Sequence, residues 1–417
     1  MMILAMIEGK KTLIFMKKID VSILLLNVIE KGDIALYGFL APIMGPIFFP
    51  GYDLVEQLIF VYAISATSLV SRPCGVFLFA MLAHYYGPLQ ALLYAVIGVA
   101  CTTMMIGCIP CYEIVGWAAP VSLIIIRFLR DACSAGESSI AKLYIMEGKD
   151  NHNAVRASYW YQCSSMIGII IASYSSTIII TTYPQAWRGC FFVAGLIALV
   201  AYYLRLAAYN GIAPVKKREK NTIYAQLNSA WQEKASVLRV AIVTIFSHIT
   251  YAIPFVLMNS FVPLITDISL ATMMQYNTFL LLCDMLMIPC VGYCIYRYSA
   301  RGIMMFSSVL LAGTIVPLFY FLPGASLQYI VFVRAWIGFL GVIFLCPLHF
   351  WCKQLFHTSS SYFLVGIGSM VGAATLGRIT TPVCLWLWYA TGWVCAPAFY
   401  MACIMMLTAW VIKSSKQ

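Results

Sequence analysis

Charged residues stand inside two long apolar stretches of this 417-residue chain. Asn27 to Pro50 reads NVIEKGDIALYGFLAPIMGPIFFP and carries Glu30, Lys31 and Asp33, while Trp117 to Tyr144 carries Arg127, Arg130, Asp131, Glu137 and, near its end, Lys142. On a helix Glu30 and Asp33, three residues apart, share a face, whereas Lys31 points away from Asp33. Two carboxylates can then meet two guanidinium groups. With Lys142 at the span end set aside, the acids Glu30, Asp33, Asp131 and Glu137 exceed Lys31, Arg127 and Arg130 by one carboxylate. A desolvated carboxylate without a cation takes up a proton rather than stay charged, so this pattern suits proton uptake and release as water access changes. A static network that orients the two helices uses the same residues, and both readings stay open.

The elements that hold these charges are membrane spans. The chain is 62% hydrophobic and 10% charged, outside the range of soluble globular proteins. Apolar stretches of the roughly 20 residues that cross a bilayer recur along its whole length. Hydropathy and helix breakers predict spans at Val21–Phe49, Leu58–Met81, Gly87–Cys108, Trp117–Tyr144, Ser158–Thr181 and Trp187–Tyr209. Six more follow at Val237–Thr266, Met273–Tyr296, Ile303–Leu322, Tyr329–Trp351, Tyr362–Tyr389 and Trp393–Ile412. The expected fold is an all-α membrane protein of twelve transmembrane helices in two six-helix bundles, residues 19–210 and 237–412. A cytoplasmic tail (1–18), a basic connector (211–236) and a second short tail (413–417) complete it. The segments SRPCGVFLFAMLAHYYG and MIPCVGYCIYRYSARG lie about half a chain apart and both run from a Pro-Cys pair into a tyrosine-containing loop, as an internal duplication would leave them.

Lys and Arg set the orientation, because positive residues near span ends stay in the cytoplasm. Lys10, Lys11, Lys17, Lys18, Lys149, Arg156, Lys216, Lys217, Arg218, Lys220, Arg297, Arg301, Lys353, Lys413 and Lys416 fall on one side if both termini are cytoplasmic; Arg188 is the main exception. The formal charge of +11 is thereby mostly topology, which leaves no role for nucleic acid. Neither H-E-x-x-H nor G-x-S-x-G occurs, no phosphate-binding loop is present, and the five histidines are dispersed, so no enzyme, cofactor or metal site is expected. The fifteen cysteines read as small hydrophobes, with a Cys108–Cys111 disulfide as the alternative at the one CxxC.

Depth provides a pairing expectation. At 1.5 Å per residue Asp33 lies about 18 Å from the inner end of the first span and Arg127 about 15 Å from the outer end of the fourth, so in a core of about 30 Å they sit at similar height. Glu30 and Arg130 match in the same way. The expected pairs are Asp33 with Arg127 and Glu30 with Arg130. Arg334, alone on its span, either pairs with Asp284 or meets an anionic solute group.

Several motifs carry a resemblance. Asn27, Glu30 and Asp33 before ALYGFLAPI and FFPG, the Arg72-Pro73-Cys74-Gly75 run, IIIRFLRDACSAGE, Glu147, Arg156, Trp187-Arg188 and APAFYMA together resemble the metabolite:proton symporters of the major facilitator superfamily, which include the proline and betaine transporters. The resemblance implies a proton symporter of a small polar metabolite or osmolyte, proline- or betaine-like or a carboxylate, working as a monomer in a bacterial inner membrane. It also implies that spans one, four, seven and ten line a central cavity. These spans hold Glu30, Asp33, Arg127, Arg130, Asp131, Glu137, His248, Arg334 and His349, with Tyr37, Tyr251, Asn259, Arg334 and Trp336 as candidate solute contacts. Asp284 and Arg378 lie elsewhere.

The chain departs from the family in three places. The loop after the second span reads AMLAHYYGPLQ, with His84 where an acid belongs and Pro88 where an arginine belongs; Tyr296 stands in place of the acid in the second half. Lys31, Arg130 and Asp131 replace the usual Trp, Gln and Gly. The lost loop charges motivate the alternative of an uncoupled facilitator or a transporter-derived sensor.

Overall fold

The computed structural model describes residues 18–146, 151–209, 231–295, 299–356 and 361–415. Some side chains within these ranges, including those of Glu137 and His349, lie outside the described residues, as do most of the connector, nearly all of the first tail and residues 416–417. The described residues are almost all helical: α1 (Lys18–Phe48), α2 (Leu54–Ile64 and Ser68–Tyr86, joined by a 3₁₀ turn), α3 (Pro88–Cys108), α4 (Ala118–Met146), α5 (Asn151–Thr182) and α6 (Trp187–Tyr209). After the connector come α7 (Lys234–Ala252 and Met258–Ile265), α8 (Leu270–Ile295), α9 (Ala300–Tyr320), α10 (Leu327–Gln354), α11 (Ser361–Gly372 and Arg378–Thr391) and α12 (Ala396–Ser414). The two parts of α7 and of α11 are each joined through a π-helical turn, Ile253–Leu257 and Ala373–Gly377.

Local sequence sets the ends. Asp53 accepts the Glu56 amide at 2.8 Å and starts α2 in a capping box. Between α2 and α3 the backbone turns at Gly87 with φ +93°, a conformation that favours glycine, and Pro88 opens the next helix. Cys108 and Cys111 are free thiols, and Cys111 Sγ accepts from Arg188 at 3.3 Å.

Among the described residues ten helices are long and apolar enough to cross a membrane. The two others, α1 and α4, are 31 and 29 residues long, ample for a bilayer. They fall short in apolarity, and they are the helices that carry the clustered charges. Large apolar side chains such as Phe77, Ile125, Val200, Leu286, Phe306 and Trp410 face outward, as lipid contact requires.

Helix pairing repeats along the chain. In the first half α1 packs on α5, α2 on α4 and α3 on α6; six helices later α7 packs on α11, α8 on α10 and α9 on α12. Close approach is made possible by glycine, since apolar helices in lipid gain chiefly from van der Waals contact. A Cβ on Gly168 would lie 2.1 Å from the Val28 carbonyl oxygen, one on Gly75 2.1 Å from that of Ala132, and one on Gly372 2.2 Å from that of Ala241. The two sets of helices meet mainly along α5–α8 and α2–α11. Ser173 and Thr278 share a hydrogen bond of 2.8 Å there, Asn277 Nδ2 donates to Ser173 Oγ at 3.0 Å, and Tyr62 and Ser260 share one of 2.8 Å between α2 and α7.

The α1–α5 seam yields a prediction. Gly168→Ala must push two backbones apart, and overpacking of this kind costs about 1–3 kcal/mol. Thermal unfolding in detergent should show a lowered midpoint for it and none for Gly313→Ala, where nothing lies within 4 Å of an added Cβ. Equal midpoints would refute the tight seam.

Candidate functional site

The charges on α1 and α4 converge on Arg130. Its guanidinium pairs with the Asp33 carboxylate, donates to the Glu30 backbone carbonyl at 3.2 Å and lies 3.3 Å from Asp131 Oδ1; all three ion-paired side chains are fully buried. Asp131 turns its other oxygen across to the second half, where Arg378 Nη1 stands 2.9 Å from Oδ2. Arg378 occupies that position because it opens the second part of α11 directly after the π-helical turn, in which Thr375 leaves helical geometry at φ −82°, ψ −118°. An unbroken chain of charge thus runs from α1 through α4 to α11.

Glu30 is held differently. Ser134 Oγ donates to its Oε1 at 2.7 Å, and its cations stand farther off, Lys31 Nζ at 3.6 Å and Arg72 Nη2 at 4.0 Å. Arg127 is also buried, with its guanidinium carbon 4.0 Å above the Tyr37 ring centroid, a cation–π contact. Its Nε and Nη1 find no hydrogen-bond acceptor among the described residues. Asn27 anchors α1 to α5, donating to Tyr161 O, Ser164 Oγ and Ser165 Oγ at 2.7–2.8 Å.

The expected pairs are corrected by one helical turn. Arg130, not Arg127, holds Asp33, and Glu30 takes Lys31 and Arg72 in place of the Arg130 guanidinium. Depth arithmetic places residues along a helix axis but not around it, and a sliding error of three residues, about 4.5 Å, is enough to exchange Arg127 for Arg130. The excess of one carboxylate is corrected as well. Arg72 from α2 and Arg378 from α11 join the cluster, so Glu30, Asp33 and Asp131 each face at least one cation. Counting charges on two helices omits those that other helices bring. Glu137 lies on α4, with its side chain outside the described residues.

The other candidates scatter. Tyr37 gives its hydroxyl to Val61 O at 2.8 Å. Tyr251 lies near Phe255 with the rings tilted, and Asn259 donates to Phe255 O at 2.6 Å; among the described residues the Tyr251 hydroxyl and Asn259 Oδ1 have no hydrogen-bond partner. Trp336 gives its indole N–H to Thr314 of α9 at 3.1 Å. Arg334 does not pair with Asp284: it donates to Pro254 O at 2.7 Å, to Met273 O at 3.2 Å and to Asn277 Oδ1. Pro254 lies in the π-helical turn of α7, where the widened ladder turns a carbonyl toward the guanidinium. The sequence reading missed Arg72, Ser134 and Asn277 as site residues and left Arg378 aside. The signal for Arg378 was present, since a lone arginine at mid-span requires a partner at its own depth.

Known proteins agree with this architecture. Residues 33–211 match the family described as Sugar (and other) transporter. The proline/betaine transporter of Escherichia coli (strain K12) is 29% identical over 187 residues, 43% of this chain and 37% of that protein. A putative proline/betaine transporter of Staphylococcus aureus (strain COL) is 23% identical over 424 residues, 98% of this chain and 89% of the relative. The crystal structure of a D-xylose-proton symporter superposes with a TM-score of 0.75 at 11% identity, covering 95% of this chain and 97% of the other. The chain has the major facilitator fold and is related to the proline/betaine transporters. It spans just over a third of the length of the E. coli relative in that match. The relatives named here are transporters, not enzymes.

In this major facilitator fold the Asp131–Arg378 pair joins the two halves, which makes its energy measurable. Arg378→Gln should cost about 3 kcal/mol, the lower end for breaking a buried pair, because Arg130 still faces Asp131. The double variant Asp131→Asn/Arg378→Gln should be more stable than the sum of the single changes requires, by about 0.5–3 kcal/mol. Additive losses in chemical unfolding would mean that the two groups do not interact.

Proposed function

We propose that the chain is a secondary transporter that carries a small polar metabolite or osmolyte together with protons. In this reading α1 and α4 are spans like the other ten, the twelve helices form two six-helix bundles, both termini are cytoplasmic, and the solute passes between the bundles. The supporting observation is the ion chain Asp33–Arg130–Asp131–Arg378, which crosses from one half of the molecule to the other. If the halves rock apart, Arg378 leaves with α11 and Asp131 loses one of its two close cations. A desolvated carboxylate stripped of a cation gains by taking a proton. Of Glu30, Asp33, Asp131 and Glu137, Asp131 is therefore the best-placed proton carrier. Arg127, Tyr251 and Asn259 each retain a buried polar atom without a partner among the described residues and are the favoured solute contacts, with Tyr37 backing Arg127. A substrate related to proline or betaine is suggested by the names of those relatives, a carboxylate by a citrate-proton symporter of Salmonella typhi that is 24% identical over 228 residues, and a bacterial inner membrane by their sources.

One observation favours the uncoupled facilitator: Glu30, Asp33 and Asp131 all have cations in this conformation. Proteoliposomes separate the two. With a solute found by thermal-shift screening, an imposed pH gradient should drive accumulation in the parent protein. Asp131→Asn should abolish that accumulation while leaving solute exchange largely intact, because exchange moves no net proton. Accumulation indifferent to the gradient in the parent would establish the facilitator instead.

Topology has its own test. A cysteine introduced at Lys217, in the connector, should react with an impermeant thiol reagent only after the cells are opened. Labelling from outside intact cells would invert the proposed orientation.

A further inference from the structure

Asp284 has no role in the ion chain described above. It lies on α8, about 21 Å from the Leu270 end and about 17 Å from the Ile295 end at 1.5 Å per residue, near the middle of the span. Its side chain is only 9% exposed and faces the α8–α10 seam. There it packs on Gly338 of α10, where an added Cβ would come within 2.9 Å of Oδ1 and 3.5 Å of Oδ2. Glycine at 338 is what gives the carboxyl its place.

No hydrogen bond or ion pair reaches this carboxyl among the described residues. Arg334, one turn outward of Gly338 on the same face of α10, is committed to Pro254 O, Met273 O and Asn277 Oδ1. Cys346, further inward, donates to Ile288 O at 3.7 Å, and Cys283 adjoins Asp284 in sequence. Both thiols are weak donors without charge in their ordinary state. From α5 come Ser173 and Thr177, bonded to Thr278 and to Met274 O. The end of α7, Met258–Ile265, and its π-helical turn carry no ionisable side chain. Asp284 thus contrasts with Glu30, Asp33 and Asp131, each of which has a cation.

A charged carboxylate at mid-span in such a seam has little accessible surface and, among the described residues, no counter-charge to stabilise it. We infer that Asp284 is a second proton-binding site of this protein, in the opposite half from the ion chain. In the conformation seen here its carboxyl is neutral. Two turns outward on the same helix, Asn277 and Thr278 hold α5 through Ser173, so parting of α5 from α8 would free α8 to shift on α10 and open the seam at the carboxyl. Water then reaches it, the O–H bond breaks, the proton passes to water and the carboxylate keeps the electron pair. Closing the seam again requires the proton to return. The site stands on geometry alone; only its coupling to solute movement rests on the transport reading.

Infrared difference spectroscopy of the full chain in liposomes, titrated with pH, tests the site without any solute. The parent protein should show the C=O stretch of a protonated carboxylic acid at neutral pH, shifted in heavy water and lost on alkaline titration. Asp284→Asn should lose this band and Asp131→Asn should keep it. Asp284→Glu, which keeps an acid there, should move the band without deleting it, and this guards against a misfolded Asn variant. Gly338→Ala, which crowds Oδ1, should displace the midpoint of the titration. Absence of the band in the parent at neutral pH, its survival in Asp284→Asn, or an unmoved midpoint in Gly338→Ala would overturn the inference. In proteoliposomes Asp284→Asn should also lose gradient-driven accumulation. A band that behaves as stated in a protein that moves no solute would leave the proton site standing and reject transport.

Discussion

Burying charge in a bilayer costs about 2.5 to 3.5 kcal/mol per residue at mid-span on insertion scales, and the arrangement of this protein follows from how that cost is met. Arg130 is the centre of the solution. One guanidinium serves the Asp33 carboxylate, the Glu30 carbonyl and Asp131, so three elements of negative potential share a cation that no single one could hold as well. The planar fork of arginine makes this possible where the point charge of a lysine would not. Because Asp131 spends its second oxygen on Arg378, the electrostatics of the first half are completed only by the second.

Backbone breaks supply what side chains do not. Arg334 is neutralised by no carboxylate among its partners; a carbonyl in the π-helical turn of α7, a carbonyl from α8 and the Asn277 amide oxygen take its donors. Irregular backbone at membrane depth is tolerated where protein covers it, and here it has a stated use. The second break, in α11, brings Arg378 to Asp131. Both breaks occur in helices that contact the other half, α7 through Tyr62–Ser260 and α11 through Arg378 and Tyr389, whose hydroxyl meets Glu56 at 3.1 Å. A helix that can bend at such a point lets its two ends move by different amounts.

Glycine seams and polar seams divide the packing between them. Within each half, Gly75, Gly168 and Gly372 let backbones touch. Between the halves several contacts are hydroxyl and amide bonds, Ser173–Thr278, Asn277–Ser173 and Tyr62–Ser260. Small hydrogen bonds of this kind are worth about 0.6 kcal/mol each in membrane helices, far less than an interdigitated apolar face. The Asp131–Arg378 pair apart, these contacts between the halves are individually weak beside the backbone contacts within each half.

The sequence by itself determined the class of fold, because length and apolarity are read residue by residue and a bilayer accepts only helices whose backbone is satisfied internally. It also singled out Glu30, Asp33, Arg130 and Asp131, since charge inside an apolar stretch is conspicuous in one dimension. It could not determine which charge meets which. Arg127 and Arg130 differ by less than one helical turn, and the choice between them depends on the rotation and sliding of α4 against α1, which the α1–α5 and α2–α4 glycine contacts decide. Nor could it bring Arg72 and Arg378 to the cluster, for they come from helices far away in the chain. Asp284 was visible as a charge, but only tertiary structure sets it against Gly338 and turns Arg334 away to the carbonyls of α7 and α8, because partner choice is a property of three-dimensional packing and not of spacing along the chain.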